Sequence, residues 1–125
     1  MPKTILIADD NGTLRRELRR AFARETEFKV CGEAHDGRDA IEKAQRLHPD
    51  LIVMDLSMPV MNGLEAARVL KNRMPLVPIV LFTLYVDAFV NKEARSVGIA
   101  DVVSKSEPLS VLAGKARGLL YRSAA

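Results

Sequence analysis

The feature that most constrains this chain is an alternation held from end to end. Short apolar or β-branched runs are separated by longer stretches whose apolar residues recur every three or four positions. The runs Lys3 to Ala8, Phe28 to Glu33, Leu51 to Met54, Pro78 to Phe82 and Ala100 to Ser104 have the lengths of strands. Between them the spacing is helical. Leu14, Leu18, Ala21 and Phe22 mark the first helix, and Ala40, Ile41, Ala44 and Leu47 the second, opened by Asp36 and Gly37 and closed before Pro49. Leu64, Ala67 and Leu70 mark the third up to Pro75, and Phe89, Val90, Ala94 and Val97 the fourth before Gly98. A fifth follows the last strand with Leu109, Leu112, Ala113, Ala116, Leu119 and Leu120, with Ser106 as its expected cap.

Strands that alternate with helices are joined by right-handed crossovers, which makes the sheet parallel and covers both its faces. The expected fold is therefore a doubly wound α/β sandwich. At 125 residues the chain is about one domain, 1–125, and it buries a core without disulfide or metal staples. Arg122 to Ala125 read as a frayed end or the start of a linker. No basic-then-apolar leader opens the chain and no apolar run of about 18 residues occurs, so the expectation is a cytoplasmic protein with no membrane contact.

The single cysteine, Cys31, lies in the second strand beside Val30 and is expected to be a small buried side chain. The formal net charge of +3 is unevenly placed, with Arg15, Arg16, Arg19, Arg20 and Arg24 crowding the first helix. Because the apolar positions occupy one face of that helix, the arginines are expected on the opposite, solvated face rather than on a nucleic-acid surface.

In an open α/β sheet, ligands bind outside the carboxyl ends of the strands. Asp9 and Asp10 follow the first strand, Asp55 the third, Thr83 the fourth and Lys105 the fifth. Carboxylates brought together at one edge repel, and burial pushes protons onto them unless cations compensate. Oxygen ligands without a thiolate or imidazole cluster suit Mg²⁺. A carboxylate beside Mg²⁺, a hydroxyl and a lysine can also attack phosphorus, so the set points to phosphoryl transfer to Asp55.

With these residues in place, the chain resembles the receiver domains of bacterial two-component response regulators. The likeness runs from "ILIADDN" through "LIVMDLSMPVMNGLEA" and "IVLFT" to "GIADVVSKSEPL". It implies a flavodoxin-like sheet of five parallel strands in the order 2-1-3-4-5. It further implies that Asp55 takes a phosphoryl group from a sensor histidine kinase or phosphotransfer protein. Asp10, Asp55 and the backbone carbonyl of Ser57 would ligate Mg²⁺, with Asp9 assisting through water, and Thr83 and Lys105 would bond the new phosphoryl oxygens. The domain would catalyse its own phosphorylation and dephosphorylation without being an enzyme toward other substrates. Output would pass to a downstream protein or an attached output domain, including homodimer formation on phosphorylation, without direct contact to nucleic acid. The chain would be a stand-alone regulator or the receiver part of a longer transcription regulator.

Three positions depart from the family pattern. Val102 stands where receivers usually carry an aromatic, Ser106 where many have proline after the lysine, and bulky Leu84 and Tyr85 follow Thr83. Two rivals are weaker. A phosphatase of haloacid dehalogenase type needs a general-acid Asp two residues after the nucleophile, and that position is Ser57. A flavodoxin-like nucleotide binder needs a glycine-rich phosphate loop, and none follows a strand.

Overall fold

The computed structural model describes residues 1–121. The strands are β1 (Lys3–Ala8), β2 (Phe28–Ala34), β3 (Leu51–Met54), β4 (Ile79–Thr83) and β5 (Asp101–Ser104). The helices are α1 (Gly12–Ala23), α2 (Gly37–Leu47), α3 (Gly63–Arg73), α4 (Ala88–Val97) and α5 (Leu109–Leu120). All strands pair in parallel in the order β2-β1-β3-β4-β5, as expected. Arg122 to Ala125 lie outside the described residues.

Successive strand residues point to opposite faces, so each strand supplies two separate cores. Ile5, Ile7, Leu51, Val53, Val80 and Phe82 pack with Leu18 and Phe22 of α1 and Leu112, Ala113 and Ala116 of α5. Leu6, Ala8, Ile52, Met54, Ile79 and Leu81 pack on the other face with α2, α3 and α4 through Ala40, Ala44, Ala67, Leu70, Val90 and Ala94. The central strands are buried on both faces, which explains their unbroken apolar runs. Each fully buried Leu, Ile or Val contributes roughly 1.5–3 kcal/mol over leaving it in water.

The helix starts are set by short polar side chains. Asn11, Asp36, Asn62 and Asp87 each accept a hydrogen bond from a backbone N–H in the first turn of α1, α2, α3 and α4. The expected cap of α5 is not made. Pro108 occupies the cap position and Ser106 lies two residues upstream, where its hydroxyl meets the Ser104 hydroxyl at 2.6 Å instead. Proline presets the backbone angle at the entry to α5, so the helix begins without a side-chain acceptor.

Two further expectations change. Phe89 is exposed, because α4 buries Val90 and Ala94 instead; Leu84, Tyr85 and Val86 just before α4 are exposed as well. Cys31 is only half-buried; it sits at the register shift between β1 and β2 and its thiol points to the Ile5 carbonyl at 3.5 Å. Burial holds that thiol above its ordinary value, against a reactive thiolate.

Candidate functional site

Each site residue is delivered by the end of a strand. β1 pairs with both β2 and β3, and the Asp55 N–H donates to the Ala8 carbonyl at 2.9 Å, which ties the end of β3 to the end of β1. Asp9 leaves β1 buried, while Asp10 turns out to solvent before Asn11 caps α1. At the far side the Lys105 N–H donates to the Thr83 carbonyl at 2.9 Å, which brings the end of β5 alongside β4.

Four of the predicted residues, Asp9, Asp10, Asp55 and Lys105, meet. One carboxylate oxygen from each of Asp9, Asp10 and Asp55 lies within 4.8 Å of the others. The Lys105 ammonium contacts Asp9 Oδ2 at 2.8 Å and Asp55 Oδ2 at 3.0 Å. Asp9 Oδ1 accepts the Asn11 N–H at 2.9 Å. Thr83 is fully buried and its hydroxyl oxygen accepts the Tyr85 N–H at 3.1 Å. Ser57 is exposed in the loop after β3, two residues past Asp55.

Electrostatics follow from that packing. Burial pushes the Asp55 carboxyl above its ordinary value; the Lys105 hydrogen bond pulls against it and the Asp9 charge adds to it, leaving the net direction upward. Burial alone would lower the Lys105 ammonium, but hydrogen bonds and charge from Asp9 and Asp55 outweigh it and hold the lysine protonated. The site is thus a partly buried cation shared by two buried carboxylates, with a third carboxylate at the solvent edge.

The donor set fits a hard divalent cation. Oxygens bound at 2.0–2.1 Å to one octahedral ion lie at most about 4.2 Å apart; an Asp10 and an Asp55 oxygen are within 4.8 Å of each other, and an Asp9 oxygen lies as near to both. Asp10, facing solvent, is the carboxylate most open to an arriving ion.

The loop that carries Ser57 is fixed by main-chain contacts. The Gly63 N–H donates to the Leu56 carbonyl at 2.8 Å, the Met61 N–H to the Pro59 carbonyl at 2.7 Å, and the Gly37 N–H to the Met61 carbonyl at 3.0 Å. Between Pro59 and Met61, Val60 has φ 69°, a tight γ-like turn on the left-handed side. A Cβ at Gly63 would collide with the Asp55 carbonyl, and one at Gly37 with the Met61 carbonyl. Glycine at these two positions is a requirement of space.

One participant was not legible in the sequence. Arg15, expected on the solvated face with its neighbours, instead donates from Nη1 to the Asp9 carbonyl at 2.6 Å and from Nε to Glu33 at 2.9 Å. Arg19 bonds the second Glu33 oxygen at 2.9 Å. Arg16, Arg20 and Arg24 are exposed, as expected. A long side chain can turn back across its helix to a strand end, a direction that helical spacing does not report.

Among the described residues no helix is long and apolar enough to cross a membrane.

Comparison with known proteins agrees with this geometry. The chain is 41% identical over 104 residues, 82% of its length, to a protein-glutamate methylesterase/protein-glutamine glutaminase of Methanosarcina acetivorans, of which it spans 30%. It is 34% identical over 113 residues, 90% of its length, to the response regulator protein VraR of Staphylococcus saprophyticus, of which it spans 54%. The crystal structure of the response regulator domain of Thermotoga maritima CheB superposes with a TM-score of 0.91 at 26% identity, covering 98% of this chain and 99% of that one. These comparisons lead to the receiver reading and not to the haloacid dehalogenase alternative. The response regulator receiver domain description matches residues 5–117, and the chain belongs to that family.

Proposed function

We propose that this receiver domain accepts a phosphoryl group on Asp55 from a phosphohistidine of a sensor histidine kinase or phosphotransfer protein. The observation that carries the reading is the Lys105 ammonium held at 2.8 and 3.0 Å from Asp9 and Asp55, beside three carboxylate oxygens within 4.8 Å of one another. An Asp55 oxygen forms the new bond to phosphorus as the P–N bond breaks, and the electron pair of that bond leaves with the imidazole. Mg²⁺, when bound, neutralises charge on the transferring oxygens. Asp10, Asp55 and the Ser57 carbonyl are the proposed direct ligands. Asp9 is assigned contact through water, because its oxygens are engaged by the Asn11 N–H and Lys105.

Thr83 and Lys105 then bond the phosphoryl oxygens. The Thr83 hydroxyl still has its proton to donate while its oxygen accepts from Tyr85. Val102 is half-buried against the core and has no ring to rotate, so the output change is assigned to the segment after β4, where Leu84, Tyr85, Val86 and Phe89 are exposed. That face would meet an attached output domain, a separate downstream protein or a second copy, in the cytoplasm, with no direct contact to nucleic acid. The domain acts on itself, transferring the group to Asp55 and later hydrolysing it.

The test is acetyl phosphate with Mg²⁺, read by intact mass. The wild type should gain one phosphoryl group and Asp55→Asn none; undiminished labelling of the variant would refute the assignment.

A further inference from the structure

Outside the carboxylates and Lys105, one charged side chain among the described residues reaches the site's backbone. The Arg15 side chain is 22% exposed and bonds in two directions, from Nη1 to the Asp9 carbonyl at 2.6 Å and from Nε to Glu33 Oε1 at 2.9 Å. Glu33 is itself fixed. It faces Ile7 in the β1–β2 register, its other oxygen takes the Arg19 Nε at 2.9 Å, and its carbonyl accepts from the Lys43 ammonium. Burial would raise the Glu33 carboxyl, but the hydrogen bonds of Arg19 and Arg15 outweigh that and keep it below its ordinary value, and therefore ionised.

The carbonyl that Arg15 holds belongs to the peptide plane joining Asp9 to Asp10. Fixing its oxygen fixes the rotation of that plane and hence the direction in which Asp10 leaves the chain. Asp10 is exposed, so the backbone that carries it does most of the work of aiming its carboxylate. The planar guanidinium can make both bonds at once because its donors are arranged in a rigid fork, which an ammonium lacks.

We infer that Arg15 is a positioning residue for the metal site: by clamping the Asp9–Asp10 peptide to Glu33 it sets the affinity for Mg²⁺. The inference rests on the carboxylate cluster being the Mg²⁺ site.

The experiment is isothermal titration of MgCl₂ into the wild-type protein, Arg15→Gln, Arg15→Lys and Arg19→Gln, with thermal midpoints measured in EDTA. Groups that orient metal ligands cost about 10–100-fold in affinity when removed, so Arg15→Gln should weaken Mg²⁺ by about tenfold or more. Arg15→Lys should fail to restore the affinity. Arg19→Gln, which removes a partner of the same Glu33 but touches nothing in the site, should stay within about twofold of wild type. A wild-type dissociation constant in Arg15→Gln, even with a lowered midpoint, would overturn the inference while leaving the site assignment standing. Full rescue by lysine would overturn it too, by reducing the effect to charge. If the wild type itself does not bind Mg²⁺, both fall. Should Arg15→Gln not fold, Glu33→Gln provides the same reading, with a several-fold loss expected and an unchanged constant counting against the clamp.

Discussion

Replacing Asp55 by Asn should stabilise the metal-free protein. Three carboxylate oxygens within 4.8 Å of one another give three repulsive pairs, each at least about 3.5 kcal/mol at an effective dielectric near 20. Lys105, at 2.8 and 3.0 Å from Asp9 and Asp55, supplies two attractive contacts of about 5.5 to 6 kcal/mol each on the same scale. The Coulomb terms nearly cancel, which leaves the desolvation of buried Asp55 largely without compensation. Asp55→Asn removes two repulsions and one attraction, a gain of about 1.5 kcal/mol before any relief of desolvation. For a domain of this size that raises the thermal midpoint by roughly 5 °C. Mg²⁺ at ten times its dissociation constant should stabilise the wild type by about 1.4 kcal/mol, and the variant, short of a ligand, by much less. The pH dependence has a definite sign. The Asp55 carboxyl is raised in the folded state, so its cost is absent below the ordinary carboxylate value. The cost sets in as pH rises from there to the raised value and is fully present above it. The gap between variant and wild type should therefore close on acidification. Calorimetry in EDTA and in MgCl₂ at several pH values checks this. A metal-free variant that melts at or below the wild type, or a wild type indifferent to Mg²⁺, would refute the reasoning.

Other expectations follow from the surroundings of the site. Gly63→Ala places a methyl group against the Asp55 carbonyl and should cost about 1–3 kcal/mol, with impaired labelling by acetyl phosphate; a midpoint equal to wild type would show that the loop can yield. Leu84 and Tyr85 stand exposed just after Thr83, and replacing both by Ala should shorten the phosphoaspartate lifetime if they shield it from water; an unchanged or longer lifetime counts against the shield.

Much of this was legible in the sequence because periodicity reports burial directly. The runs Leu51 to Met54 and Ile79 to Phe82 are apolar without interruption since helices cover both faces. Asp9, Asp55, Thr83 and Lys105 converge because parallel topology collects all strand ends at one edge. What escaped depended on side-chain direction. Arg15 turns off the helix face its position assigned, and Phe89 falls one position from the buried stripe of Val90 and Ala94. Ser106 has the chemistry of a cap but not the place, because Pro108 comes between it and α5.

The loop after β3 obtains its path from hydrogen bonds of Gly63, Met61 and Gly37 and from two glycines that leave room for carbonyl oxygens. Ser57 and Val60 on its outer side are exposed and bear little of that architecture. Val60 even sits at a φ that suits glycine or asparagine better. A loop whose course is written in its main chain can exchange outward side chains at low cost in stability. Substitutions on that outer side can then accumulate between lineages, or be introduced by an engineer, while the acidic site beneath keeps its shape.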